Sequence, residues 1–164
     1  MQDYVVVFPV AMDLVNKQEE VLVIKKQRPA WQKDKFNLLG GHVESGEDPI
    51  QTAVRELKEE SGYLPLQDDE HQDKMPHTRL LGRIFGNWGN VYCFRINVYK
   101  YPQPERRAEE DEPVSWEKWN NIKENPSLIA NLKIIIPLMM NEIHGWAIED
   151  NLGEDMKISF VGDK

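Results

Sequence analysis

Three glutamates fall at helical spacing in one short stretch of the sequence. Glu56, Glu59 and Glu60 lie within "PIQTAVRELKEES", at positions i, i+3 and i+4. On a helix such neighbours repel each other by a few tenths of a kcal/mol per pair. Because a helix that only needed solubility would interleave lysines, something else keeps these carboxylates together. A divalent cation is the first candidate.

The surrounding residues predict a helix that holds the three carboxylates along one edge. Asp48 is suited to cap its N-terminus, Pro49 suits the first helical position, and Gln51 completes a capping box. Gly62 is predicted to end the helix. Apolar residues at spacings of three and four form one stripe: Ile50, Ala53, Val54 and Leu57. Since each residue turns about 100°, the glutamates fall on the flank beside that stripe.

The chemistry that such an edge supports is phosphoryl transfer. Mg²⁺ prefers oxygen ligands and is typically held by a few carboxylates together with substrate phosphate. The preceding Gly40 and Gly41 let a backbone carbonyl approach the same ion without an intervening side chain. A bound metal ion neutralises phosphate charge and lowers the pKa of a bound water.

The spacing of this stretch resembles the signature of the Nudix hydrolase family, G-x5-E-x7-R-E-U-x-E-E-x-G-U, with U aliphatic. Every fixed position is met between Gly41 and Gly62, and Tyr63 stands where an aliphatic residue is usual. The segments "RPAWQKDKFNLL" and "EEDEPVSW" are similar to the MutT-like branch. The resemblance implies an α+β fold, with a mixed sheet between helices in an α/β/α sandwich. It also implies a single domain over 1–164, with the box at 41–63.

The resemblance also assigns roles within the box. It implies metal ligands at the Gly40 carbonyl, Glu56, Glu59 and Glu60, with Glu59 and Glu60 also acting in catalysis. Glu47 and Arg55 are expected to form a structural ion pair that orients the loop against the helix.

A further acid from a later loop often completes this kind of site. The candidates are Glu109, Glu110, Asp111 and Glu112. By its distance to Trp116, Glu110 is the first choice and is expected to be catalytic. Glu112 is the second choice and is expected to be a metal ligand. A solvated run of charges is the alternative interpretation for each.

Four residues outside the box are candidates for substrate binding. Arg28 follows a strand where relatives often place a cation for phosphates, and Phe36 and Asn37 are expected to line a nucleobase pocket. Trp88, in "GNWGN", is suited to stack on a base, which contributes ~1–3 kcal/mol. Packing across a hairpin is the alternative for Trp88.

The implied function is a Mg²⁺-dependent pyrophosphohydrolase, with Mn²⁺ as a substitute ion. Its expected substrates are nucleoside or deoxynucleoside triphosphates or their oxidised forms, from which it releases a nucleoside monophosphate. ADP-ribose or dinucleoside polyphosphates are the alternative substrates. The other class of function is a Nudix fold kept as a non-catalytic nucleotide-binding module.

The remaining elements are predicted from periodicity. "DYVVVFPVAMDL" and "VLVIKKQ" read as a hairpin, with Pro9 indicating an edge strand or a bulge. "NLLGGHVESGE" is expected to be a short strand followed by a loop. "PSLIANLKIIIPLMMNEIHGW" is predicted to be a helix that breaks near Pro137. Cys93, Trp119 and Trp146 are most simply core or interface residues.

Composition limits the partners and the cellular compartment that are expected for the protein. A net charge of −8 over 164 residues disfavours long nucleic-acid partners, which are bound largely through Lys and Arg. The N-terminus is apolar but short and lacks a basic region, so neither a signal peptide nor a membrane span is expected. One cysteine agrees with a reducing compartment. A cytoplasmic monomer or homodimer that binds a small nucleotide is therefore expected.

Overall fold

The computed structural model describes residues 1–13, 15–67, 77–105, 112–151 and 156–160. Within these ranges the strands are β1 (Gln2–Asp13), β2 (Gln18–Lys25), β3 (Phe36–Asn37), β4 (Leu39–His42), β5 (Thr78–Gly86), β6 (Gly89–Asn97), β7 (Val114–Lys118), β8 (Trp146–Glu149) and β9 (Lys157–Phe160). The helices are α1 (Pro49–Ser61), α2 (Trp119–Ile122), α3 (Leu132–Met140) and a 3-10 turn (Ala30–Gln32). None of the helices in these ranges has the length and apolar character needed to span a membrane.

The strands form one mixed sheet in the order β3-β2-β1-β6-β5-β8-β9, with β4 also paired to β1 and β7 to β2. The predicted β1–β2 hairpin is present, and β1 also runs parallel to β6. Pro9 therefore lies in an internal strand, and the expectation of an edge is wrong. On one side of β1 the partner changes from β4 at Val7 to β2 at Val10. A residue without an N–H disrupts the ladder least at such a changeover.

Alternating residues of β1 send side chains to two separate cores. Val5 and Val7 pack with Leu57 of α1 on one face of the sheet. Phe8 and Val10 pack with α3 on the other face. This period-2 alternation is what a strand buried on both faces requires. The α/β/α sandwich and the mixed sheet are thus confirmed.

The second long helix is shorter than predicted and is not broken. α3 covers Leu132–Met140 with Pro137 inside it, so the predicted break is wrong. Ile136 and Met139 are fully buried against the sheet, and this packing holds the helix despite the missing proline N–H. Trp146, which the sequence pattern places at the end of this helix, instead begins β8 and is 1% exposed.

Candidate active site

Helix α1 begins and ends at the residues that the sequence predicts. The Asp48 carboxylate accepts the Gln51 N–H at 3.0 Å, and the Gln51 side-chain oxygen accepts the Asp48 N–H at 3.1 Å. Gly62 adopts φ 78°, and its N–H donates to the Lys58 carbonyl at 2.8 Å. The capping box and the glycine stop are confirmed. Fixed at both ends, the helix holds its acidic flank in one place relative to the sheet.

Arg55 connects the acidic flank of α1 to the preceding loop through hydrogen bonds. Its guanidinium donates to both oxygens of Glu47, at 2.9 and 3.1 Å, and to the His42 carbonyl at 3.1 Å. A further nitrogen contacts Glu56 at 2.8 Å and Glu59 at 3.0 Å. The hydrogen bonds from Arg55 lower the pKa of Glu47 to about 2. Glu47 and Arg55 thus form a charged pair, and Arg55 neutralises part of the acidic edge.

The two glycines before the box bring strand β4 against the glutamates. Gly40 and Gly41 lie within β4, so the strand extends through the region predicted to be a loop. The Gly40 N–H donates to Glu60 at 2.8 Å. Gly40 has φ 151°, and a Cβ on it would come within 2.1 Å of the Val5 carbonyl oxygen. A Cβ on Gly41 would come within 2.3 Å of a Glu56 carboxylate oxygen. Close pairing with β1 therefore requires glycine at position 40, and close approach of the Glu56 carboxylate favours it at position 41.

Two of the three glutamates are held in surroundings that disfavour their charge. Burial raises the pKa of Glu60 to about 7, against the opposing effect of the Gly40 hydrogen bond. Burial also raises the pKa of Glu56, whose side chain is 12% exposed, although Arg55 opposes this shift. Glu59 lies further out, with its side chain 56% exposed. The inner part of the acidic edge thus gains most from a nearby positive charge.

Glu112 reaches the same region from a distant part of the chain. Its carboxylate accepts a hydrogen bond from the Lys26 ammonium at 2.6 Å and from the N–H groups of Gln27 and Arg28 at 2.8 and 3.3 Å. Burial opposes its ionisation, but these hydrogen bonds outweigh burial and keep the pKa of Glu112 below its ordinary value. The charge of Glu112 also acts on Glu60. The other late-loop candidates lie outside the described residues: Glu109, Glu110 and Asp111.

A cleft of about 620 Å³ opens beside this acidic edge. Cations, aromatic rings, amides and the glycine strand line it, including Lys26, Arg28, Trp31, Gln32, Asn37, Gly40, Gly41 and Trp88. A smaller recess of about 150 Å³ continues from it beneath α3 and shares Trp31, Gln32, Asn37 and Trp88. A cleft of this size, with apolar walls and few polar groups, is typical of small-molecule sites.

The cleft includes three of the four residues predicted to bind substrate. Arg28, Asn37 and Trp88 line it, and the Trp88 indole N–H donates to the Asp150 carbonyl at 2.7 Å. Phe36 does not line it and packs against the core beneath α3. A role for Phe36 in binding the base stays a prediction.

The residues of the cleft that sequence reasoning missed include Lys26, Trp31 and Gln32. Trp31 is 63% exposed on the 3-10 turn, although large aromatic side chains are usually well buried. Its place in the loop "RPAWQKDKF", three residues after Arg28, was the available signal. Lys26 gave no local signal, because its partner Glu112 is 86 residues away.

The donor set suits a hard divalent cation. Among the described residues, no group of three His, Cys, Asp or Glu side chains is already arranged around a single ion position, and Arg55 holds Glu56 and Glu59 instead. The available donors are nevertheless carboxylate and carbonyl oxygens, which Mg²⁺ prefers. The raised pKa values of Glu56 and Glu60 also show carboxylates that a cation would stabilise. The residues therefore fit such an ion.

Comparison with known proteins gives matches to one family. The NUDIX domain family matches residues 7–138. An ADP-ribose pyrophosphatase from Methanocaldococcus jannaschii is 42% identical over 57 residues, covering 34% of this chain and 33% of that protein. The 8-oxo-dGTP diphosphatase of Escherichia coli is 38% identical over 50 residues, covering 30% of this chain and 39% of that protein. The chain thus aligns with about a third of the length of these curated relatives.

Solved structures with 17 to 20% identity share the fold. A MutT protein from Bacillus halodurans has a TM-score of 0.62, covering 96% of this chain and 97% of that one. The NUDIX domain of Shewanella oneidensis NrtR, complexed with ADP ribose, has a TM-score of 0.63 with coverages of 85% and 86%. A bifunctional NMN adenylyltransferase/ADP ribose pyrophosphatase from Francisella tularensis, complexed with AMP and a Mn ion, has a TM-score of 0.63 with coverages of 86% and 42%. Because the domain match extends over residues 7–138, the chain belongs to the Nudix hydrolase family.

Proposed function

We propose that the chain hydrolyses the pyrophosphate bond of nucleoside diphosphates linked to another moiety. The favoured substrates are nucleoside or deoxynucleoside triphosphates, including oxidised forms, with release of a nucleoside monophosphate. The observation that carries the proposal is the continuity of the cleft. Its aromatic walls contain Trp31 and Trp88, its cations are Lys26 and Arg28, and the Gly40 strand borders the acidic edge. Groups suited to a base and to phosphates thus share one cleft, and the Gly40 N–H at its border donates to Glu60 of the acidic edge.

The cofactor in this proposal is Mg²⁺, with Mn²⁺ as a substitute. The Gly40 carbonyl and the carboxylates of Glu56, Glu59 and Glu60 would hold it. When bound, a divalent ion neutralises phosphate charge and lowers the pKa of a bound water. Glu112 was expected to be a ligand as well, but its bonds to Lys26 and to two backbone N–H groups favour another role. We assign it the orientation of the cations that face the phosphates.

Side chains of the protein supply the remaining catalytic roles. Lys26 and Arg28 bind the phosphates, which positions the anhydride for attack. Glu59 or Glu60 accepts the proton of the attacking water, and Glu110 is retained as the alternative base. The fixed Glu47–Arg55 pair holds the loop before α1, so the acidic edge keeps its place during turnover.

The amides of the cleft favour bases that carry keto groups. The Asn37 side-chain oxygen accepts the Leu38 N–H at 2.8 Å, and the Asn37 amide nitrogen donates to the Gln32 oxygen at 3.2 Å. Each side-chain oxygen thus already accepts one hydrogen bond within the described part of the chain, and N–H groups of both amides remain as donors for a ligand. Donors pair with the O6 and N7 acceptors of guanine, whereas adenine presents an amino group at position 6. We expect guanine and hypoxanthine nucleotides to be preferred.

Two alternatives remain as second proposals. The relative from Methanocaldococcus jannaschii is an ADP-ribose pyrophosphatase, which supports ADP-ribose or a dinucleoside polyphosphate as substrate. A non-catalytic nucleotide-binding module is the other alternative. All the box glutamates are present in this chain, which favours the enzyme.

The test is a substrate screen of the purified protein with Mg²⁺. Substrates are GTP, dGTP, 8-oxo-dGTP, ITP, ATP, ADP-ribose and a diadenosine polyphosphate, with products resolved by chromatography. In ¹⁸O-water the label should appear on a phosphate product and never on carbon. A sugar- or base-labelled product excludes the reaction class. Saturable nucleotide binding without hydrolysis of any substrate would identify the binding module instead.

Composition supports further proposals about the domain, location and partners of the protein. We propose one domain over residues 1–164, a cytoplasmic location, and a monomer or homodimer that binds small nucleotides rather than long nucleic acids. The net charge of −8 and the single buried Cys93 support this setting.

A further inference from the structure

Tyr63 departs from the aliphatic residue usual at the last position of the box, and its hydroxyl makes two hydrogen bonds. The side chain is 7% exposed. Its hydroxyl donates to the Lys100 carbonyl at 3.1 Å and accepts the indole N–H of Trp116 at 3.0 Å. The two rings meet edge to face, with centroids 5.5 Å apart. An aliphatic side chain would leave both partners without this hydroxyl, and buried polar groups without partners are costly.

The two partners of Tyr63 lie on either side of the segment that delivers Glu112. Lys100 follows β6, and Trp116 lies in β7, which pairs with β2. Between them the chain passes Pro104, whose side chain would be 2.9 Å from a Cβ on Gly62. Residues that line a cavity of about 140 Å³ at this junction include Tyr63, Pro104 and Trp116. The hydroxyl of Tyr63 thus links the end of α1 to the chain on both sides of Glu112.

The same helix end carries Glu60. Glu60 lies three residues before Tyr63 and is bound to the Gly40 N–H. Glu112 is bound to the end of β2 through Lys26 and the N–H groups beyond it. Glu60 on α1 and Glu112, which precedes β7, are therefore held by different elements. Tyr63 and Trp116 are a direct side-chain link between those elements.

We propose that Tyr63 is a positioning residue, whose hydroxyl fixes Glu112 relative to Glu60 by linking α1 to Lys100 and Trp116. It touches no substrate and acts through the carboxylates. This inference rests on the proposed function for its kinetic consequence only. The link itself exists in the protein without substrate.

The test is a double-mutant cycle with Tyr63→Phe and Trp116→Phe, each of which removes one partner of the same hydrogen bond. Tyr63→Phe should lower kcat about 10-fold, because small misplacements of reacting groups cost rate. KM should change less than about twofold, since the residues that line the cleft are unchanged and substrate binding is therefore kept. The double variant should be no slower than the slower single variant, because shared interactions are not additive. Tyr99→Phe, whose side chain is 71% exposed, is the matched control and should match wild type.

Amide hydrogen exchange of the metal-free protein is the second measurement. In Tyr63→Phe the amides of Val114–Lys118 should exchange faster, while those of β1 keep their wild-type rates. Strictly additive losses of kcat in the cycle, or an unchanged kcat, would overturn the proposal. If wild type hydrolyses no nucleotide, the proposed function fails by itself, and the exchange result alone decides. Unchanged exchange in β7 then overturns the link.

Discussion

Removing the charge of Glu60 should make the metal-free protein more stable at high pH. Burial raises the pKa of this carboxyl from an ordinary value of 4.5 to about 7. The folded protein then binds more protons than the unfolded chain between these two values. The free energy of unfolding therefore falls as the pH rises from 4.5 to 7 and levels off above it. At about 1.4 kcal/mol per pKa unit, the ionised Glu60 costs roughly 3 kcal/mol above pH 7.

The perturbation is Glu60→Gln, which keeps an oxygen to accept the Gly40 N–H while it removes the charge. At pH 8 this variant should be more stable than wild type by up to roughly 3 kcal/mol, or about 6–12 °C in Tm for a chain of this size. At pH 4.5 the two proteins should melt within a few degrees of each other. Glu59→Gln is the matched control. Its side chain is 56% exposed and paired with Arg55, so it should change stability by at most about 0.5 kcal/mol.

The assay is thermal melting at pH 4.5 and pH 8, in chelator and again with Mg²⁺. An ion whose concentration is 100 times its Kd for the folded state adds about 2.7 kcal/mol to the free energy of unfolding. We expect this gain in wild type and a clearly smaller one in Glu60→Gln. The reasoning is refuted if Glu60→Gln is no more stable than wild type at pH 8, or if it gains equally at pH 4.5. An undiminished Mg²⁺ shift in Glu60→Gln would remove Glu60 from the metal site.

Four further outcomes are expected. Activity should require Mg²⁺ or Mn²⁺, with Ca²⁺ poor because it tolerates looser geometry; full turnover in excess chelator contradicts this. Glu112→Gln and Glu110→Gln, compared by steady-state kinetics, separate the two late acids. The base should lose at least ~10²-fold in kcat, whereas an orienting Glu112 should raise KM as well, and two fully active variants exclude both. Gly40→Ala should cost about 1–3 kcal/mol of stability, because its φ of 151° is open mainly to glycine. Gly41→Ala should keep its Tm but lose at least ~10-fold in activity, because its Cβ displaces the Glu56 carboxylate; equal melting losses in the two variants would contradict this.

Local features of the sequence are sufficient to predict the helix at the site. The cap at Asp48, the stop at Gly62 and the apolar stripe with Leu57 depend on contacts within one or two turns. The β1–β2 hairpin is local in the same sense. The edge shared by Glu56, Glu59 and Glu60 follows from helical geometry alone. These features could be predicted because the residues that determine them are neighbours in the chain.

Tertiary structure decided what faces that edge. Parallel pairing of β1 with β6 joins segments some 87 residues apart, and it places Pro9 in the middle of the sheet. Packing of α3 on the sheet kept Pro137 within a helix that its own sequence would interrupt. Lys26 and Glu112 meet only because β7 pairs with β2. Gly41 is favoured by close approach of the Glu56 carboxylate rather than by a turn. Each of these features arises from contacts between distant segments, which the periodicity of one segment cannot encode.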